Sequence, residues 1–220
     1  MEDASTPRSR RREKNLNRIV EVAMQHVQEV GLEGLSINKL AHALDYTPGA
    51  LYRYFPSKDA LVLTLIEEVV ADVSVELASS VEGLDPLEQI RACIAVWTRF
   101  ARSSPERFGL IASTFSAARA LLSADIVAEQ AIASMMRGLA PLRNALSEAA
   151  ESGLLSDGEA LDRTLILFAS VNGLLMLRKQ AQRAPQLIDL DRLTSTLVET
   201  LLLGWASERL SPQKSSRRTP

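Results

Sequence analysis

A chain of 220 residues that is 46% hydrophobic and 24% charged can bury a sizeable core, as one large domain or two small ones. Its net charge of −2 carries no overall nucleic-acid signal, and its single cysteine, Cys93, excludes an intramolecular disulfide and a cysteine-based zinc site. The longest strongly apolar stretch, 13 residues from Leu165 to Leu177, is interrupted by Ser170, Asn172 and Gly173 and falls short of the length of a membrane span. A polar, charged start without a secretory signal completes the expectation of a cytoplasmic protein with no membrane partner.

No strand alternation is present. Helical spacing runs through nearly the whole chain and predicts an all-α fold of about nine helices. Residues 1–12 read as a disordered basic arm. Arg8, Arg10, Arg11, Arg12, Lys14 and Arg18 face only Glu13 in this region. Such an arm is either a solvated terminus or a segment that orders along a phosphate backbone or minor groove. Leu16, Ile19, Val20, Ala23, Val27 and Val30 then form one face of a first helix, which Gly31 ends.

The segment LSINKLAHALDYTPGALYRYFPSKDAL, from Leu35 to Leu61, reads as two short helices and the start of a third. Ser36 caps the first, and Ile37, Leu40, Ala41 and Leu44 share one face of it. Asp45 and Tyr46 make the turn. Thr47 is an N-cap, and Pro48 suits a first helical position, where no N–H is needed. Leu51 and Tyr54 point back to the core, Pro56 forbids continuation, and Ser57 caps the next helix. Two short helices around a tight turn are a helix-turn-helix, whose second helix can enter a major groove. Thr47, Gly49, Tyr52 and Arg53 face outward. Arg53 is placed to contact guanine at two atoms, while Tyr54 and Lys58 suit phosphate. The expected DNA-binding set is Ser36, Thr47, Pro48, Gly49, Tyr52, Arg53, Tyr54 and Lys58.

Leu35, Ser36, Ile37, Leu40, Ala41, Gly49, Leu51, Tyr52, Tyr54, Phe55, Lys58 and Leu61 stand in one unbroken register. In this register the segment resembles the DNA-binding head of the TetR/AcrR family of transcriptional regulators. The resemblance covers roughly the first third of the chain. It departs from the family at Asp45, where glycine is frequent, and at Pro48, where a lysine or other polar residue is frequent. Asp tolerates a positive φ better than most non-glycine residues. The resemblance implies a head over residues 13–60 and a helical ligand-binding and dimerisation domain over 61–210, before a disordered tail over 211–220.

Beyond the head, a long helix runs from Ser57 towards Ser80, and residues 81–85 break it at Gly83. Asp85-Pro86-Leu87-Glu88 is a capping sequence for a helix to about Ser103. Ser104-Pro105-Glu106 starts another. A helix from Ser123 to Ser152 carries Pro141 inside it, as a kink or a division. Residues 153–158 form a turn. Ser156-x-x-Glu159 reads as a capping box for a helix to about Arg183, and Asp189 opens a last helix to about Leu210.

The last two of these helices carry broad apolar stripes. A helix apolar nearly all round is buried on two sides. One side is its own core, and the other can be a second subunit or more of the same chain. The resemblance implies a four-helix dimer interface, for which Phe168, Gly173, Leu197, Leu201 and Trp205 are the expected contacts. In the middle of the chain, Trp97, Phe100, Phe115 and Met135 can wall a pocket for a small, largely apolar inducer. Plain core packing is the simpler reading of each residue alone.

Catalysis finds no support. His26 and His42 are the only histidines. Neither a metal-binding HExxH nor a nucleotide-binding glycine motif is present, so no enzyme activity, cofactor or metal is expected. The resulting expectation is a homodimeric regulator, more specifically a repressor on a palindromic operator of double-stranded DNA, released by its inducer. An activator of the same fold is one alternative. An all-helical enzyme or scaffold with a structural head is another.

Overall fold

The computed structural model describes residues 6–113 and 125–207. The fold is all-α. Among the described residues there are eleven helical segments and no strand, apart from an isolated antiparallel bridge between Leu155 and Ala206. In chain order the helices are α1 (Pro7–Gly34), α2 (Ile37–Ala43), α3 (Pro48–Tyr52), α4 (Lys58–Ser80), α5 (Pro86–Ser103), α6 (Pro105–Ser113), α7 (Asp125–Gly138), α8 (Ala140–Glu151), α9 (Ala160–Leu175), α10 (Arg178–Arg183) and α11 (Leu190–Trp205). They fall into two compact units, which divide at Val73/Ser74, Arg99/Phe100 and Gly138/Leu139.

The first unit contains α1 to α3, most of α4, the end of α5, α6 and α7. Ile19, Val20, Ala23 and Val27 of α1 are buried at the expected helical spacing. Helix α1 starts earlier than anticipated. Thr6 is its N-cap, with Oγ1 accepting from the Ser9 N–H, and Pro7 stands in the first turn. Arg8 to Arg12 therefore lie on helix rather than in a disordered arm. The Thr6-Pro7 pair is the local cause. Gly31 interrupts the helix with φ 73°, a value that glycine adopts without a Cβ clash.

Leu61, Val62, Leu65, Ile66 and Val69 of α4 are buried, and α6 packs on α1. The core of the head therefore extends past the expected boundary at residue 60, through most of α4. Ser57 caps α4, its Oγ accepting from the Ala60 N–H at 3.1 Å.

In the second unit, α9 packs against α8 and α11. Leu142, Leu146, Leu167, Phe168, Val171, Val198 and Leu202 are buried there. Asp85 Oδ1 caps α5, accepting from the Leu87 and Glu88 N–H groups at 3.0 Å each. Pro141 divides the expected long helix. It sits in the first turn of α8, where its missing N–H costs nothing, and Leu139 separates α8 from α7. The expected start at Ser123 lies outside the described residues.

Ser156 is not a helix cap. Its N–H and hydroxyl both donate to the Trp205 carbonyl, at 2.7 and 3.1 Å, and Glu159 holds the N-cap position of α9 without a side-chain bond. The helix expected to reach Arg183 breaks at Met176–Leu177, where the Leu177 N–H turns to the Leu174 carbonyl. Asp189 caps α11 as expected, accepting from the Arg192 N–H at 3.0 Å. Helix α11 ends at Trp205 because Ala206 turns to extended backbone and enters the bridge with Leu155.

Candidate nucleic-acid interface

The turn between α2 and α3 is fixed by two backbone features. The Tyr46 N–H donates to the Ala41 carbonyl at 2.9 Å, and Asp45 adopts φ 56°. Asp45 is the one non-glycine residue with positive φ among the described residues, so this chain makes the left-handed turn without glycine. Thr47 caps α3 through Oγ1, which accepts from the Ala50 N–H at 3.2 Å. Its hydroxyl proton stays available to a partner. Ser36 occupies the N-cap position of α2, but its hydroxyl makes no capping bond.

Leu40, Leu44, Leu51 and Phe55 are buried and hold α3 against the head. This leaves Thr47, Pro48, Gly49, Tyr52 and Arg53 exposed on one surface. A Cβ at Gly49 would meet nothing within 4 Å, so the protein itself does not require glycine there.

Tyr54 and Lys58 are half-buried and already engaged. Asn15 Nδ2 donates to the Tyr54 hydroxyl at 3.2 Å, and Lys58 Nζ donates to the Leu32 carbonyl at 3.3 Å. Arg8, Arg11, Arg12, Asn15, Arg53 and Tyr54 together line an open recess of about 380 Å³. On α1 these residues recur at i, i+3, i+4 and i+7, one face of a helix. That spacing is present in the sequence, but it has meaning only once the arm is helical.

The other expected residues separate. Phe168 is turned into its own core, its ring 5.2 Å from that of Trp97 and tilted 48°. Gly173 is exposed with open space at its Cβ position, and Leu197 and Leu201 are half-buried. Trp205 lies under the Arg163 guanidinium at 5.4 Å. Leu161, Leu165 and Ile166 of α9, Met176 just past its end and Leu203 of α11 are exposed; Leu165, Met176 and Leu203 belong to the apolar stripes legible in the sequence, while Leu161 and Ile166 are not singled out there. An all-round apolar helix hides which arc faces inward. Only the packing of α9 on α8 and α11 sets its rotation.

Of the expected pocket residues, Trp97 is buried in the second unit, Phe100 and Met135 are buried in the first, and Phe115 lies outside the described residues. Phe100 is covered by the Arg107 guanidinium, which also pairs with Asp72. Cys93 is buried, and desolvation pushes its thiol up to about 12, so it stays protonated and inert at neutral pH. No group of three or more His, Cys, Asp or Glu among the described residues can hold a metal ion.

A helix-turn-helix with an exposed second helix and a flanking basic recess defines a DNA-binding protein of the helical regulator class. Residues 19–65 match the profile of the bacterial regulatory proteins of the tetR family, and residues 90–201 match that of the tetracyclin repressor-like C-terminal domain. The chain belongs to the TetR family of transcriptional regulators, with a DNA-binding head and a ligand-binding C-terminal domain.

Solved structures share the fold. A protein of unknown function from Rhodococcus sp. RHA1 is 20% identical with TM-score 0.69, over 87% of this chain and 96% of that one. AibR in complex with isovaleryl coenzyme A and operator DNA is 19% identical with TM-score 0.60, over 85% and 97%. FadR from Bacillus subtilis in complex with stearoyl-CoA is 18% identical with TM-score 0.64, over 86% and 98%. No curated protein sequence matches the chain significantly.

Proposed function

We propose that the protein is a homodimeric transcriptional repressor that binds a palindromic operator in duplex DNA and is released by a small, largely apolar inducer. The observation that carries this reading is the exposed surface of Thr47, Pro48, Gly49, Tyr52 and Arg53 beside the arginine-lined recess. It presents hydrogen-bonding groups and fixed positive charge on one side of the head.

The dimer reading rests on the uncovered apolar face of α9 and α11. Leu161, Leu165, Ile166, Met176 and Leu203 are exposed there, beside Gly173 and Gly204. The segment Ala160–Arg183 is long and apolar enough, by length and composition alone, to cross a membrane. Yet α9 is 16 residues long, roughly 24 Å, and carries Asp162 and Arg163. A second copy suits that face better than lipid. Two copies related by a twofold axis match an inverted repeat in DNA.

The inducer reading draws on the buried aromatic and methionine side chains of the C-terminal domain and on the acyl-coenzyme A ligands of AibR and FadR. Such a ligand shifts an equilibrium only by its differential affinity for the two states.

The experiment is transcription from a reporter that carries a genomic fragment selected by the protein. Repression requires that adding the protein lowers the output and that a released state restores it. A rise in output would show an activator, and no change would remove regulation at that site.

A further inference from the structure

We propose that the recess between α1 and the end of α3 is a seat for backbone phosphate, and that Arg53 belongs to this seat rather than to the base-reading surface. The proposal rests on the DNA-binding reading above and deepens it. Arg8, Arg11, Arg12 and Arg53 line one recess, and none of them is ion-paired among the described residues. Arginine stays charged at any physiological pH. Guanidiniums gathered around one hollow repel each other until an anion enters, and their planar forks match phosphate oxygens. The recess, about 380 Å³, is far larger than the ~30 Å³ share of a water molecule, so a phosphodiester fits with its hydration.

Asn15 and Tyr54 sharpen the assignment. Asn15 Nδ2 donates to the Tyr54 hydroxyl oxygen. The hydroxyl proton must therefore point elsewhere, and Tyr54 lines the recess. The pair offers one more donor to the phosphate. Asn15 is a positioning residue that acts through Tyr54. The basic stretch also divides. Arg8, Arg11 and Arg12 line the seat, while Arg10 and Lys14 do not.

The test uses the full chain, a selected duplex, a scrambled duplex and a salt series. Arg53→Ala and Arg11→Ala remove exposed side chains and leave the core intact. Each is expected to weaken both duplexes by the same factor and to reduce the salt slope by about 0.9 for each phosphate no longer neutralised. A loss by Arg53→Ala confined to the selected duplex would make Arg53 a base reader and overturn the seat. So would an unchanged salt slope. Wild-type protein that binds neither duplex overturns the seat and the DNA-binding reading together.

Inorganic tripolyphosphate separates free phosphate from DNA as the source. At matched ionic strength it should displace duplex from the wild type more effectively than from Arg53→Ala. Equal displacement from both removes Arg53 from the seat. Asn15→Ala should weaken duplex binding in the wild type but have no further effect beside Tyr54→Phe. An equal loss in both backgrounds overturns the positioning role.

Discussion

Lys58 Nζ donates to the Leu32 carbonyl at 3.3 Å and so ties the first turn of α4 to the chain just after Gly31, where α1 is interrupted. A lysine that suits phosphate from the sequence thus has an internal partner as well. Lys58→Met keeps most of the apolar stem and removes the donor. It should lower unfolding stability by about 1 kcal/mol, read as a reduced urea midpoint with an unchanged m-value. An unchanged midpoint would leave Lys58 to DNA alone.

The turn residue Asp45, at φ 56°, gives a second prediction. Asp45→Val forces a β-branched residue into the left-handed region and should cost about 1–2 kcal/mol. Asp45→Gly relieves the clash but loosens the unfolded chain, so its net effect should stay small. Thermal unfolding of the two variants checks the order. A valine variant as stable as the glycine variant would contradict the strained turn.

Most of the head is legible in the sequence because its signals are local. Gly31, the Thr47-Pro48 start of α3, the buried set Leu40, Leu44, Leu51 and Phe55, and the tolerance of Asp45 for positive φ all follow from the residues themselves. The early start of α1 is harder to read, because a run of arginines resembles a solvated arm and masks the Thr6-Pro7 cap before it. The rotation of α9 is not legible, because a helix with apolar residues on every side carries no phase. Ser156 misleads because its Ser-x-x-Glu spacing is a capping signature, while its hydrogen bonds to Trp205 depend on a distant segment.

The rotation of α9 separates core from interface in a third prediction. Phe168→Ala deletes a buried ring beside Trp97 and should destabilise the fold by about 3–5 kcal/mol. Leu165→Glu alters an exposed position and should leave each subunit folded while abolishing the dimer. Sedimentation equilibrium and calorimetry together distinguish the two. A monomeric wild type at micromolar concentration would contradict the interface.

A fourth prediction concerns pH. Arg91 donates to both carboxylate oxygens of Glu199, at 2.6 and 3.0 Å, tying α5 to α11. The hydrogen bond from Arg91 lowers the Glu199 carboxyl below its ordinary value, and burial partly opposes it. A carboxyl lowered on folding adds stability above its unfolded pKa, and that stability is lost as pH falls through the folded pKa. Both side chains are close to half exposed, so the contribution is small, up to about 1 kcal/mol. Glu199→Gln should therefore be less stable than the wild type at pH 7 and equal to it once the carboxyl is protonated. A stability gap that persists in acid would assign the effect to packing instead.

We propose that two copies of this chain read one symmetric DNA site. It is tested most directly by selecting bound fragments from the host genome and measuring stoichiometry and salt dependence on the recovered duplex. The expected result is an inverted repeat, two chains per site, and an affinity that falls steeply as salt rises. One chain per site, or recovered fragments that share no symmetric sequence, would contradict it.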